Sequence, residues 1–409
     1  MEIVYVADTA YPDSMGGSHR YTYEVCKRLV NNFGFVVTMI VPRLDERPYD
    51  EVIDGIRYLR YDRKPLPFGG FDYVTGVTRL LIRISRKTKP DLIEVNWPLP
   101  GLSVAIWRKL IRMFKSNNVP RLVYSFHGPA ADEFSAEIPD KMKSIITRTL
   151  IAVINQAERV SVRESDVIIT ASNYMKLLCE QKHFRKRSKS FSILGAGVDM
   201  SHFQLDSESD NKLSARAKLQ LPDNVRILFT ARRLRQRMGL DLLIEAMAEL
   251  KIRKGQVSYH LFVAGRGPML NHLNAVAHNL GVQDCVNFVG FVDDEELLLY
   301  YKAADLVVLP SKELEGFGLT VIESLASGTP VVATPVGGLP EVISGLDERL
   351  LSKGLTASDI ASSIEGYFKW GPIEAQTCRN FVSKYAWEEL VRQRVSDYQA
   401  LVSGDIDVK

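Results

Sequence analysis

Two glutamates eight positions apart, Glu315 and Glu323, enclose the run Gly316-Phe317-Gly318-Leu319-Thr320. A glycine loop feeding a helix leaves the backbone N–H groups of Gly318, Leu319 and Thr320 without intrahelical acceptors, at the positive end of the helix dipole. A phosphate fits such an end. Carboxylates accept hydrogen bonds strongly from hydroxyls, and eight residues at helical rise span about 12 Å as an upper scale. An anion with a hydroxylated group on either side, such as a sugar, a diphosphate and a ribose in a row, matches that order of donors and acceptors. The plain alternative is two solvated glutamates on one helix.

Further reactive side chains follow apolar runs. His127 comes after Leu122-Val123-Tyr124-Ser125-Phe126, where an imidazole can bond a hydroxyl or handle a proton, or simply cap a strand. Arg233 and Arg237 follow Val225 to Thr230 and carry permanent charge suited to phosphate. Gly16 and Gly17 follow the first apolar run, where they either bring backbone N–H groups to a phosphate or form an ordinary loop. Gly265-Arg266-Gly267-Pro268 makes a tight turn but lacks the third glycine of a dinucleotide fingerprint, because position 270 is Leu270. Cys26, Cys179, Cys285 and Cys378 are isolated, which fits reduced core residues better than a zinc site.

The elements that must position these residues are legible as apolar runs stopped by loops. Ala304 to Leu309 reads as a buried parallel strand, Leu319 to Ala326 as a helix, and Pro330 to Thr334 as the next strand. Runs at 2–7, 36–41, 55–60, 91–95 and 121–126 alternate with helical stretches in the first half, and 166–170, 191–194, 225–230, 260–264 and 286–291 follow. Such alternation predicts mostly parallel sheets covered by helices, with ligands outside the carboxyl ends of the strands. At 409 residues the chain suits two domains.

The stretch EGFGLTVIESLASGTPVV, with GG at 337–338, resembles the E-x7-E region of retaining glycosyltransferases of family 4, group 1. The resemblance is firm over 225–345 and loose before it. It implies an α/β, GT-B fold: two Rossmann-like domains with mostly parallel sheets facing across a cleft. The domains would be 1–195 on the acceptor side and 207–384 on the nucleotide-sugar donor side, joined by a linker at 196–206, with 385–409 a closing helix returning to the first domain. It implies transfer of a sugar to an acceptor hydroxyl with retention of configuration and without metal or other cofactor. Glu315 would orient the donor sugar, Glu323 would hold the ribose, and Arg233, Arg237 and the N–H groups of Gly318, Leu319 and Thr320 would stabilise the diphosphate. Gly16, Gly17, Gly265, Gly267, Gly316 and Phe317 complete the donor set, and His127 stands where the family has a histidine. Met238 departs from the pattern, since the family carries a lysine there, and Arg237 beside it is the expected replacement. Asp405-Ile406-Asp407 has the spacing of metal-dependent sugar transferases but follows no strand, so it reads as chance.

Two alternatives remain at this level. A nucleotide-sugar-binding sensor or partner subunit without turnover would account for Met238, and an NAD-dependent oxidoreductase would share the fold class only. The net charge of +3 conceals a basic front half, with 30 Lys and Arg against 21 Asp and Glu in residues 1–195. Basic amphipathic stretches at 77–89 and 104–115, and the run at 182–189, either touch an anionic membrane or acidic acceptor, or pack on the sheet with charges in water. No nucleic-acid reader motif accompanies them. The start of the chain runs straight into a strand, so a cytoplasmic location is expected, peripheral contact with the cytosolic membrane face being the open alternative. Donor base and sugar, and an acceptor that is a glycan, a lipid-linked sugar or a small molecule, are not distinguished.

Overall fold

In strands Glu2–Val6 (β1), Val36–Pro42 (β2), Leu92–Val95 (β5), Arg121–Phe126 (β6) and Val167–Thr170 (β7) nearly every residue is buried. Burial on both faces is what a parallel sheet covered by helices requires. The computed structural model describes residues 1–13, 17–44, 46–64, 70–113, 119–138, 144–184, 189–203, 211–253 and 258–405. Within them the chain forms two compact units, 1–195 with 387–409, and 196–386.

The first unit is an eight-stranded sheet completed by Asp50–Ile53 (β3), Ile56–Tyr61 (β4) and Ser190–Ile193 (β8), ordered β3-β4-β2-β1-β5-β6-β7-β8. β3 is its antiparallel member. The sequence reading has no strand at 50–53. The signal for it is Asp54-Gly55, both at positive φ, the residue pair that closes a two-residue hairpin matched to strand twist. Alternate β1 side chains serve two cores. Ile3 and Tyr5 face helix Gly17–Phe33 (α1) and the C-terminal helix Trp387–Ser403, whereas Val4 and Val6 face helices Gly70–Ser85 (α2) and Pro98–Met113 (α3).

Glu94, on β5, places a carboxylate inside the first of these cores. It accepts from Arg394 Nη1 at 2.8 Å, from Ser125 Oγ at 2.6 Å and from the Tyr398 hydroxyl. Arg394 also donates to the Tyr21 hydroxyl at 3.0 Å. Glu94 and Arg394 are 3% and 1% exposed, so each neutralises a charge that the interior would otherwise reject.

The second unit holds five parallel strands, Arg226–Ala231 (β9), Tyr259–Ala264 (β10), Val286–Gly290 (β11), Leu306–Leu309 (β12) and Val331–Ala333 (β13), ordered β11-β10-β9-β12-β13. Neighbouring β9 and β12 send their following loops in opposite directions across the sheet, which makes the crevice at their carboxyl ends the place for a ligand. No helix among the described residues is long and apolar enough to cross a membrane.

Candidate functional site

Arg232 leaves β9 and Ser311 and Glu315 follow β12, so strand order alone brings them together. Arg232 Nη2 donates to Glu315 Oε2, and Nη1 donates to Ser311 Oγ at 2.6 Å. Ser311 Oγ in turn donates to the same Oε2 at 2.9 Å. The side chains of Arg232 and Glu315 are 5% and 16% exposed, so a charge-assisted bond in a partly dry setting fixes one carboxylate oxygen. Glu315 Oε1 has no hydrogen-bond partner among the described residues. One oxygen is anchored and the other is left to accept.

The loop carrying Glu315 is tied down on several sides. Arg237 Nη1 donates to the Leu314 carbonyl at 3.0 Å, Lys312 N–H to the Arg237 carbonyl at 2.9 Å, and Lys312 Nζ to Asp241 Oδ2 at 2.6 Å. Gly338 N–H donates to the Glu315 carbonyl at 2.9 Å. A Cβ at Gly337 would lie 2.0 Å from that carbonyl oxygen, so the glycine pair of the 335–338 loop is there to let two backbones meet.

Gly318, at φ +99, turns the chain into helix Leu319–Ala326, and the N–H groups of its first turn have no acceptor within the helix. Leu319 and Thr320 are half-buried; Thr320 Oγ1 donates to the Ala231 carbonyl at 3.4 Å. Gly316 is half-buried, while Phe317 is buried edge-on against Tyr385 with ring centres 5.4 Å apart. Phe317 is therefore a packing residue on its side-chain end. Glu323 is half-buried and accepts from the Tyr301 hydroxyl at 2.9 Å. Burial and the adjacent Glu323 hold that hydroxyl's pKa well above its ordinary value, so it stays a donor.

Of the cations expected at a diphosphate, Arg233 is exposed and makes no hydrogen bond or ion pair through its side chain among the described residues. The Arg237 guanidinium is engaged with Leu314, and Met238 is buried. Gly265 and Gly267 lie against the loop after β9: a Cβ at either would meet the carbonyl oxygen of Arg232 at 1.9 Å or of Leu234 at 2.3 Å. Close backbone packing accounts for both.

In the first unit His127 follows β6 and lines a cavity of about 70 Å³ with Asp8, His19 and Asn96, from the ends of β1 and β5 and the start of α1. Its Nε2 is enclosed and lacks a hydrogen-bond partner. Burial, ahead of nearby charges, lowers its pKa from 6.5 to about 4, so the ring stays neutral near pH 7 and can accept a hydrogen bond. His19 Nε2 lies 3.7 Å from Asp8 Oδ1. Gly17 opens α1; Gly16 lies outside the described residues, as do 114–115, 185–188, 204–210 and 406–407 of the segments singled out in the sequence.

Arg232, Ser311, Tyr301, Asp8, His19 and Asn96 are absent from the sequence reading of the site. Arg232, Ser311, Asp8 and Asn96 stand directly after parallel strands, and that position was the available signal.

Two family models cover most of the chain: Glycosyltransferase Family 4 matches residues 15–201 and Glycosyl transferases group 1 matches residues 211–381. A glycosyltransferase of Methanocaldococcus jannaschii is 29% identical over 251 residues, which is 60% of this chain and 63% of that protein. Mannosylfructose-phosphate synthase of Agrobacterium fabrum is 25% identical over 95% of this chain and 86% of its own length. Among solved structures, sucrose-phosphate synthase from Thermosynechococcus elongatus superposes with a TM-score of 0.78 at 22% identity, covering 99% of this chain and 100% of that one. That likeness extends to the GT-B fold.

Proposed function

This chain belongs to the group 1, family 4 glycosyltransferases, and on that footing we propose that it moves a sugar from a nucleotide-sugar donor to an acceptor hydroxyl with retention of configuration. The observation that carries the reading is the half-anchored Glu315, with Oε2 held by Arg232 and Ser311 and Oε1 left to accept. It lies in the loop that leads to the open helix start at Gly318 to Thr320. A sugar hydroxyl would donate to Oε1, and the diphosphate would face the unpaired N–H groups of the helix start together with the exposed Arg233. Glu323, oriented by Tyr301, would receive the ribose hydroxyls. Arg237 supports the loop through one Nη1 bond to Leu314, and its other guanidinium N–H groups would serve the diphosphate.

In the reaction the bond from the anomeric carbon to phosphate breaks, a bond to the acceptor oxygen forms on the same face, and the acceptor proton passes to the departing phosphate. Positive charge grows on the ring and negative charge on the diphosphate, where fixed donors act without reorganising. Neutral His127 would accept from a sugar or acceptor hydroxyl. These groups supply the charge stabilisation, so the reading requires no metal.

The test is thermal stabilisation by UDP-, GDP- and ADP-sugars, followed by transfer or donor hydrolysis with the stabilising donor in excess chelator. Stabilisation by one donor, with chelator-resistant turnover that disappears in Glu315→Ala, is the expected result. No stabilisation by any donor would refute donor binding. Turnover lost in chelator would refute metal independence. One observation favours a second reading, a nucleotide-sugar sensor or partner subunit: Met238 is buried where the family has a lysine. Stabilisation without any turnover would select it.

A further inference from the structure

Helices α2 and α3 each bury one side in the first unit's core, through Tyr73, Val77, Leu80 and Leu81 on α2 and Val104 and Trp107 on α3. Their remaining surfaces meet in a groove of about 780 Å³ that is mostly apolar along its floor and basic along its edges. Ile82, Ile106 and Leu110, which line it, are 40%, 39% and 44% exposed, and Met113, at the end of α3, is 77% exposed. Arg79, Arg83, Arg86 and Lys87 line the same groove, and Lys109 and Arg112 lie beside Leu110 and Met113 in the sequence of α3, all six exposed. α3 carries no carboxylate, and on α2 Asp72 lies in the first turn. Two acidic residues from elsewhere reach this edge: Asp50 is 3.8 Å from Arg83 but bound to Arg57, and Glu164 pairs with Lys109 at 3.0 Å. Asp50 also feels the charge of Lys87, and for Arg79, Arg86 and Arg112 no ion pair is formed among the described residues.

We infer that this face docks on an anionic lipid bilayer, the two helices lying flat at the headgroup level. Exposed Ile, Leu and Met side chains enter the acyl boundary while flexible Arg and Lys stems reach back to phosphates, the arrangement of an interfacial amphipathic surface. Charge complementarity decides the occupant. An apolar partner protein would need no cationic rim, and a nucleic acid would gain nothing from aliphatic side chains between the cations. Attraction to anionic lipid amounts to about fivefold in partition for each basic residue near the surface, falling within a Debye length.

The test uses the whole chain and vesicles of phosphatidylglycerol mixed with phosphatidylcholine, or of phosphatidylcholine alone, read by co-sedimentation at low and high salt. No donor or acceptor is involved, so the result is independent of the proposed transfer. The wild type should partition onto the anionic vesicles and be released by salt. Arg79→Ser with Arg83→Ser and Arg86→Ser should weaken that partition by about 100-fold. Ile106→Ser with Leu110→Ser should weaken it while leaving its salt dependence in place. If the double variant melts early, Met113→Ser serves the same arm at a side chain already in water. Wild-type protein that ignores anionic vesicles, or a triple variant that binds them like the wild type, overturns the inference. So does a wild-type dimer in analytical ultracentrifugation that the double variant dissolves, which would make the face an interface between copies.

Discussion

In the proposed reaction Glu315 serves through its unsatisfied oxygen, and Arg232 holds the other one. Removing Arg232 leaves a partly buried carboxylate held by Ser311 alone and poorly neutralised. A hydrogen bond to a charged group is worth about 1.5–3 kcal/mol, so Arg232→Ala should lower transfer by about 10–100-fold. Arg232→Lys should recover little, since one ammonium does not reproduce the fork that holds Ser311 and Glu315 together; kcat and KM with a stabilising donor check both. His127 supplies a pH test. Its folded pKa of about 4 lies below the ordinary 6.5, so between those values the unfolded chain binds the proton that the folded one refuses. Its contribution is intact above pH 6.5 and stability declines as pH falls through that window. Melting curves across the window should show the wild type losing more stability than His127→Gln. Glu315 was legible because its loop, helix and following strand are contiguous. Arg232 was not, because its partner is 83 positions away and only the strand order of the folded sheet makes them neighbours.

At the level of elements, the loop from β12 to the helix at Leu319 is a rigid cradle held by its neighbours. Gly337 shows how tightly. At φ +63 it already disfavours a side chain, and a Cβ would sit 2.0 Å from the Glu315 carbonyl oxygen, whereas Gly281 at φ +66 has nothing within 4 Å. Gly281→Ala should cost the left-handed penalty alone, about 1–2 kcal/mol. Gly337→Ala should cost more and also displace Glu315, so donor-induced stabilisation should vanish in Gly337→Ala and survive in Gly281→Ala. Denaturant midpoints and thermal shifts separate the two. Strands were legible here as apolar runs bounded by glycine and proline. The Asp54-Gly55 hairpin was missed because β3 is a half-exposed edge strand without an apolar run. Gly265 and Gly267 were identified for their turn and for the donor site, and the structure adds a packing reason, the approach of the Arg232 to Leu234 backbone, which no local pattern records.

Across the whole molecule, the first unit depends on two residues far apart in the numbering: Glu94 and Arg394, 300 positions apart. Removing one partner of a buried pair strands the other charge, at about 3–5 kcal/mol. Arg394→Met should therefore destabilise strongly, and adding Glu94→Gln should recover part of the loss, as read from denaturant midpoints. The fold class was legible from alternating runs and from a single family-like stretch. The buried network was not, because a lone glutamate in an apolar strand announces a partner without saying where it is. Its position has a consequence for synthesis. A chain made from its amino end ordinarily completes its domains in that order, yet residues 196–386 are whole before Arg394 and Tyr398 have been translated. Most of the second unit is therefore synthesised while Glu94 of the first still lacks Arg394 and Tyr398 as partners.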